Sequence, residues 1–129
     1  KEKKDRIEDA IYATKAALKE GIVPGGGVAL LNASQKVEAK TPGEKILLKA
    51  IQAPFYTVLE NAGIDYINYN KPEGQGIDVV TGEDATMISA GIIDPVLVTK
   101  SALKNAVSVV STIISADCVI SNMRINESN

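Results

Sequence analysis

The stretch Glu20-Gly21-Ile22-Val23-Pro24-Gly25-Gly26-Gly27-Val28-Ala29-Leu30-Leu31 decides how the chain is read. A charged helical pattern runs into it, and Gly21 can close that helix in the left-handed conformation that helix ends favour. Pro24 stiffens the turn, three glycines follow, and a new apolar helical pattern starts at Val28. Glycines directly before a helix let backbone N–H groups approach a ligand with no side chain in the way. The helix N-terminus also carries partial positive charge, which suits a phosphate. The same glycines serve equally as a plain loop between two helices. No Lys-Ser/Thr pair follows them, so the Walker pattern is not met.

On the N-terminal side, residues 1–20 read as a helix with Ile7, Ile11, Thr14 and Leu18 on one stripe and Ala10 and Ala17 beside it. Asp9 lies next to that stripe; an exposed, solvated carboxylate is the ordinary reading of such a residue. Beyond the glycines, residues 27–40 form a second helix held by Val28, Leu30, Leu31 and Val37. Thr41-Pro42-Gly43-Glu44 is a capping box with proline at the first helical position. The third helix runs from there to about Gln52 on Ile46, Leu47 and Ile51. Pro54 must end or kink it, a short helix follows over residues 55–61, and Gly63 caps that helix. One more helical turn fits residues 64–70.

Residues 77–80 and 84–87 read as a hairpin around Thr81-Gly82-Glu83. Asp94-Pro95 opens the last helix as N-cap and first residue. Leu103, Ala106, Val110, Ile113 and Ile114 mark its buried face, with a stripe of small residues at Ser108, Ser111 and Ser115. Cys118-Val119-Ile120 is a short apolar strand open to pairing with another chain, and residues 123–129 are a polar tail. The fold class is therefore mainly α, multihelical, with one short β-hairpin and a short C-terminal strand.

Composition narrows the chemistry. Of 129 residues 45% are hydrophobic, enough for a core, but aromatics are 4% with no Trp, so base-stacking platforms are not expected. The net charge of −2 leaves no basic footprint for nucleic acid. Residues 60–94 carry seven carboxylates against Lys71 alone, a net of −6. A nucleotide bound there needs positive charge from a metal or from other residues. With no histidine, Ser-His-Asp and Cys-His catalysis and His-ligated metals are excluded. Cys118 is the single cysteine, which suits a reducing compartment. The longest uncharged run near the C-terminus, residues 105–116, is short for a membrane span. The N-terminus lacks an apolar signal core and begins inside a helical pattern, so a piece of a longer protein is expected.

Three features could build a site: Asp9, the glycine turn, and the hairpin strand together with Asp94. An ATPase needs a phosphate cradle, a carboxylate that orients water, and an apolar slot with a polar hook for base and ribose. All three kinds are present.

In their order, the motifs resemble the C-terminal part of group I chaperonins, the bacterial GroEL type. Arg6-Ile7-Glu8-Asp9-Ala10 with Ala13-Thr14-Lys15-Ala16-Ala17 resembles the family's ascending helix, and residues 20–30 its signature loop. Ala53-Pro54 and Asn61-Ala62-Gly63 fit the next helices. Gly91-Ile92-Ile93-Asp94-Pro95 and Val98-Thr99-Lys100-Ser101-Ala102-Leu103 resemble the start of the last long helix. The resemblance implies seven-subunit rings, often stacked in pairs, that use ATP and Mg to enclose unfolded protein clients with a co-chaperonin in the cytoplasm. It implies that residues 1–19 end an intermediate domain, residues 20–122 are the C-terminal half of an equatorial ATPase domain, and residues 123–129 are a tail. Asp9 then falls at the catalytic carboxylate, Gly25 and Gly26 at the nucleotide-contacting glycines, Asp78, Val79 and Val80 at the adenine-contacting strand, and Asp94 at the ribose-binding carboxylate. The phosphate-binding Asp-Gly-Thr-Thr segment, with the metal ligand, belongs to the other half of that domain. No metal ligand is expected in this chain, and the 129 residues alone are expected to be inactive.

The chain departs from the pattern at Asp78, where the best-known member has Asn, and at Tyr56 and Asp65, which replace an Arg and a Glu that join two rings. The connection between Gly63 and Gly76 is short, and a Gly-Met tail is missing. The rival readings are a stand-alone helical interaction module, in which the glycines are only a turn, and a different ATPase completed by a partner chain.

Overall fold

In the computed structural model, which describes residues 1–65, 69, 71–118 and 120, the chain is mainly helical with short strands. The elements run α1 (Glu2–Glu20), β1 (Ile22–Pro24), α2 (Val28–Lys36), α3 (Pro42–Ala50), α4 (Ala53–Asn61), β2 (Gln75–Asp78), β3 (Glu83–Thr86), β4 (Ile93–Pro95) and α5 (Val96–Ile114). Two antiparallel pairs hold them: the hairpin β2–β3, and a second pair in which Val23 of β1 lies opposite Asp94 of β4.

Gly21 makes the first of these junctions possible. It takes φ 85° with an extended ψ of −166°, not the left-handed helical cap expected, and that backbone region is essentially open to glycine alone. Its N–H closes α1 on the Ala17 carbonyl at 2.8 Å, and its own carbonyl accepts the Val96 N–H at 3.1 Å. One residue thus ends a helix, starts a strand and seats the first turn of α5.

The short helices follow their local signals closely. Thr41 Oγ1 accepts the Glu44 N–H at 3.3 Å, and Glu44 Oε2 accepts the N–H groups of Thr41 and Lys40 at 3.0 and 2.6 Å. Thr41→Ala is expected to lower stability by about 1 kcal/mol, read as a downward shift of the urea midpoint. α2 ends at Lys36, four residues earlier than expected: Val37 is already extended at φ −86°, ψ 122°, and Thr41 sits at φ −122°, ψ 158°, the geometry proline imposes on its predecessor. Val37 is accordingly outside the helix and 56% exposed. Pro54 falls in the first turn of α4, where a missing N–H does no harm. At the other end Gly63 has φ 69°, with Gly63 N–H on Glu60 O and Ile64 N–H on Leu59 O, both at 3.0 Å, a Schellman ending.

The core is small: Val28 and Leu31 from α2, Phe55 and Leu59 from α4, and Met87, ringed by Tyr56, Ile64, Tyr69, Ile77, Ala85 and Ile92. Phe55 meets Tyr69 at a centroid distance of 4.6 Å and Tyr56 edge-on at 5.4 Å. Of the residues expected to hold α3, Ile51 is buried just past the helix end, while Ile46 and Leu47 face solvent.

Two expected faces are corrected. α1 does not bury Ile7, Ile11 and Leu18, which are exposed; it seats Ala13, Ala16 and Ala17 instead. At 100° per residue those alanines lie roughly 140° round the helix from the isoleucine stripe. Small side chains let the helix lie close against β4 and α5, which bulkier ones would hold off. On α5 the partly buried residues are Val96, Leu97, Thr99 and Leu103, all in the first half. Ala106, Val110, Ile113 and Ile114, expected inside, are exposed. By length and composition α5 is apolar enough to cross a membrane. The helical turn expected over residues 64–70 falls largely on residues 66–68 and 70, the strand over 118–120 includes Val119, and the tail is 123–129; these lie outside the described residues.

Candidate functional site

The glycine turn joins β1 to α2, and each glycine there meets a different neighbour. Gly25 donates its N–H to the Ile92 carbonyl at 2.9 Å, and a Cβ on it would stand 3.0 Å from the Ile93 nitrogen. A Cβ on Gly26, at φ 62°, would stand 3.2 Å from the Met87 methyl, and one on Gly27, at φ 80°, would run into the backbone of Phe55. The turn is therefore packed on its inner side. On the other side the N–H groups of Gly26 and Gly27 donate to no partner among the described residues. They stand at the N-terminus of α2, where the helix dipole favours an anion.

β4 brings a carboxylate to this turn. Asp94 does not cap α5 as expected: Pro95 is the N-cap residue, and Asp94 is held in the strand by its pairing with Val23. Extended backbone is what that pairing requires, and it carries Asp94 to within two ladder positions of Gly25. The carboxyl is half-buried and has no ion pair or hydrogen bond among the described residues. Burial pushes its pKa above the ordinary value of 3.8. A folded pKa above the unfolded one means that the acid's contribution to stability is fully present below pH 3.8 and is lost as pH rises through the folded value. At neutral pH the ionised group is then a burden on the fold. Asp94→Asn is expected to leave the neutral-pH melting temperature unchanged or raised and to flatten its rise toward acid; a clear drop at pH 7 would contradict this.

The hairpin is tied to the same centre. A Cβ on Gly76 would lie 2.6 Å from the Met87 sulfur and 2.7 Å from Val28. Met87 thus fills the space between Gly26 and Gly76, with its N–H on Gly74 O at 3.0 Å and its carbonyl taking the Ile92 N–H at 2.9 Å. It was expected inside a strand; β3 instead stops at Thr86, and Met87 is the core residue of the turn that follows. Two glycines and one long flexible side chain were the available signal for this contact.

The strands themselves are shifted from residues 77–80 and 84–87 to 75–78 and 83–86. The cause is Asp78, whose Oδ1 accepts the Val80 N–H at 2.9 Å and whose carbonyl accepts the Gly82 N–H at 2.7 Å. Val79 and Val80 are therefore turn residues, 42% and 89% exposed. Beside them, Lys71 pairs with Asp84 and Lys36 with Glu73 at 2.5 Å, so α2 supplies one of the cations that the acidic stretch lacks. Tyr69 donates to the Gln75 carbonyl at 3.0 Å, and burial, then Asp84 and Tyr56, push its pKa up to about 12, which keeps this donor protonated.

Asp9 stands apart. It is exposed on α1, twelve residues from Gly21, which is about 18 Å of helix rise. It is not beside the isoleucine stripe as expected: at 100° per residue it shares a helical face with Ala13 and Ala16, the side of α1 that meets the body. The structure thus gathers Gly25, Gly26 and Asp94, anchors the hairpin bearing Asp78, Val79 and Val80 to them through Gly76, and leaves Asp9 on a separate arm. Among the described residues there is no group of three or more Asp, Glu, His or Cys that could hold a metal ion. The unspent N–H groups and the unpaired Asp94 do fit the phosphate and hydroxyl groups of a nucleotide. Two open clefts, of about 420 and 380 Å³, run along α1 and α5 at Leu97, away from this turn.

The family model for the TCP-1/cpn60 chaperonin family matches residues 1–124. Among solved structures, the chain is similar to a group III chaperonin crystallised in the open state, with 31% identity and a TM-score of 0.69 over 81% of this chain. The chain spans 25% of that protein's length.

Proposed function

The chain belongs to the TCP-1/cpn60 chaperonin family, and from that premise we propose that it is the C-terminal part of a subunit of a GroEL-type, group I folding ring. Residues 1–19 are the end of the intermediate domain, 20–122 the C-terminal half of the equatorial ATPase domain, and 123–129 its tail. The group I reading rests on the run of motifs from Arg6 to Leu103; the matched solved structure is of group III. Seven-membered rings, unfolded clients, a co-chaperonin and a cytoplasmic setting come with the reading, and activity belongs to the full-length protein, not to these residues alone. α5 is read as a helix of the equatorial domain, since Lys100 is ion-paired with Glu20 at 2.7 Å and Lys104 lies a turn further on.

The observation that carries the nucleotide site is the pairing of Val23 with Asp94. A plain turn between two helices has no need of a half-buried, unpartnered carboxylate beside it. ATP, when bound, supplies the phosphoanhydride whose hydrolysis drives the ring. On this chain Gly25 and Gly26 line it with backbone, Asp94 accepts from the ribose hydroxyls, and the turn at Asp78, Val79 and Val80 meets adenine. Asp9 accepts a hydrogen bond from the attacking water and so orients it. The metal ligand is assigned to the part of the equatorial domain outside this chain.

The test is ATP affinity of the full-length protein with Asp94→Asn. Replacing an ionised acceptor by a neutral amide is expected to weaken binding about tenfold, the effect of roughly 1.4 kcal/mol, without lowering the melting temperature. Unchanged affinity would remove Asp94 from the site.

A further inference from the structure

The turn between β2 and β3 places two valines side by side on its tip, in a segment whose other side chains are Asp78, Thr81 and Glu83. Neither valine is buried within the chain, yet the turn that carries them is held firmly. Asp78 Oδ1 takes the Val80 N–H at 2.9 Å, Asp78 O takes the Gly82 N–H at 2.7 Å and the Thr81 hydroxyl at 3.4 Å, and Thr81 Oγ1 takes the Glu83 N–H at 3.3 Å. Gly82 completes the reversal at φ 77°. The bonds to Asp78 O close the turn around Val79 and Val80, and the bond from the Val80 N–H to the Asp78 carboxylate is the one that holds the Val79–Val80 peptide itself.

We propose that Asp78 is a positioning residue: its carboxylate fixes the Val79–Val80 turn so that backbone and valine surface, not the carboxylate itself, meet the nucleotide base. This rests on the reading of that turn as the base-contacting segment and changes the role of its first residue. A carboxylate oxygen already accepting from Val80 at 2.9 Å is held along the chain, while the exposed apolar surface belongs to the two valines. A heteroaromatic base buries well against such a surface, which needs no charge.

The experiment measures ATP KM and kcat on the full-length protein for Asp78→Ala, Asp78→Asn, Val80→Ser and Asp94→Asn. Asparagine retains a side-chain oxygen for the Val80 N–H; alanine does not. Asp78→Ala is expected to raise KM about tenfold with kcat within about twofold, the signature of lost binding rather than lost chemistry. Asp78→Asn is expected to recover most of that loss, and Val80→Ser to raise KM with the Asp78 bond intact. If Asp78→Asn is as defective as Asp78→Ala, the charge itself touches the ligand and the positioning role is overturned. If Val80→Ser and Asp94→Asn weaken ATP while Asp78→Ala does not, the positioning role falls and the site stands. If none of the four moves KM, the nucleotide reading falls together with it.

Discussion

Gly27→Ala is expected to lower stability by about 3 kcal/mol or more, the largest loss from adding a single methyl group in this chain. Two independent penalties combine there. The residue sits at φ 80°, where an L side chain costs roughly 1–2 kcal/mol. Its Cβ would also stand 2.6 Å from the Phe55 nitrogen and 2.8 Å from the Phe55 Cα. Those are backbone atoms at the start of α4, and they cannot rotate away. Relief requires α2 and α4 to separate, and they are the two helices that bury Val28, Leu31, Phe55 and Leu59 together. Gly26→Ala is the informative comparison. It shares the positive φ, at 62°, but meets only the Met87 methyl at 3.2 Å, the end of a side chain able to adapt. Gly43→Ala has ordinary φ and nothing within 4 Å and serves as the neutral control. Urea midpoints should therefore fall in the order Gly43, Gly26, Gly27, with Gly27→Ala far below the others. Equal losses at Gly26 and Gly27 would mean that the contact with Phe55 does not matter.

That ordering separates two roles within one short motif. Gly27 is required by the fold, whatever binds nearby. Gly26 is constrained mainly by its backbone angle and keeps an unspent N–H beside the helix terminus. A reading of the three glycines as a uniform phosphate cradle misses this, because the neighbour that distinguishes them, Phe55, lies well down the chain.

The same distinction governs what was legible before the structure. The capping box at Thr41, the restart at Pro54 and the Schellman ending at Gly63 depend on residues within one turn of each other, and all three are found as read. The pairing of β1 with β4 joins residues 71 positions apart in sequence, Val23 and Asp94, so Asp94 reads locally as a helix cap although a strand holds it. The hairpin was visible, but its register was set by one side-chain bond, Asp78 to Val80, which hydrophobic alternation does not encode. On α1 the isoleucine stripe is the louder pattern, while the alanines make the contact. Periodicity finds apolar faces; it does not say which of two faces a neighbour of given shape will accept. Chaperonin membership was legible because it rests on the order of several motifs, which tolerates all of these local misreadings.

Asp9→Ala should then separate binding from chemistry in the full-length protein: ATP affinity within about threefold of the parent, and turnover lower by about 100-fold or more, the lower end of what a positioned proton acceptor contributes. The geometry makes the separation sharp. Asp9 lies about 18 Å of helix rise from Gly21, so in this conformation it can take no part in holding a nucleotide at the turn. It is nevertheless on the face of α1 that continues Ala13 and Ala16 toward the body, so bringing α1 down over the turn would lead with this carboxylate. The substitution carries little structural risk, since Asp9 is exposed and makes no ion pair among the described residues, and alanine has the higher helix propensity. Glu8→Ala provides the matched control. It removes a neighbouring carboxylate that is paired with Lys4 at 3.6 Å and faces about 100° away round the helix, and it should leave turnover near the parent value. Equal losses at Glu8 and Asp9 would indicate a general effect of helix charge. Loss of ATP binding in Asp9→Ala, in proportion to turnover, would instead place the carboxylate in the ground-state site and contradict a role confined to the chemical step.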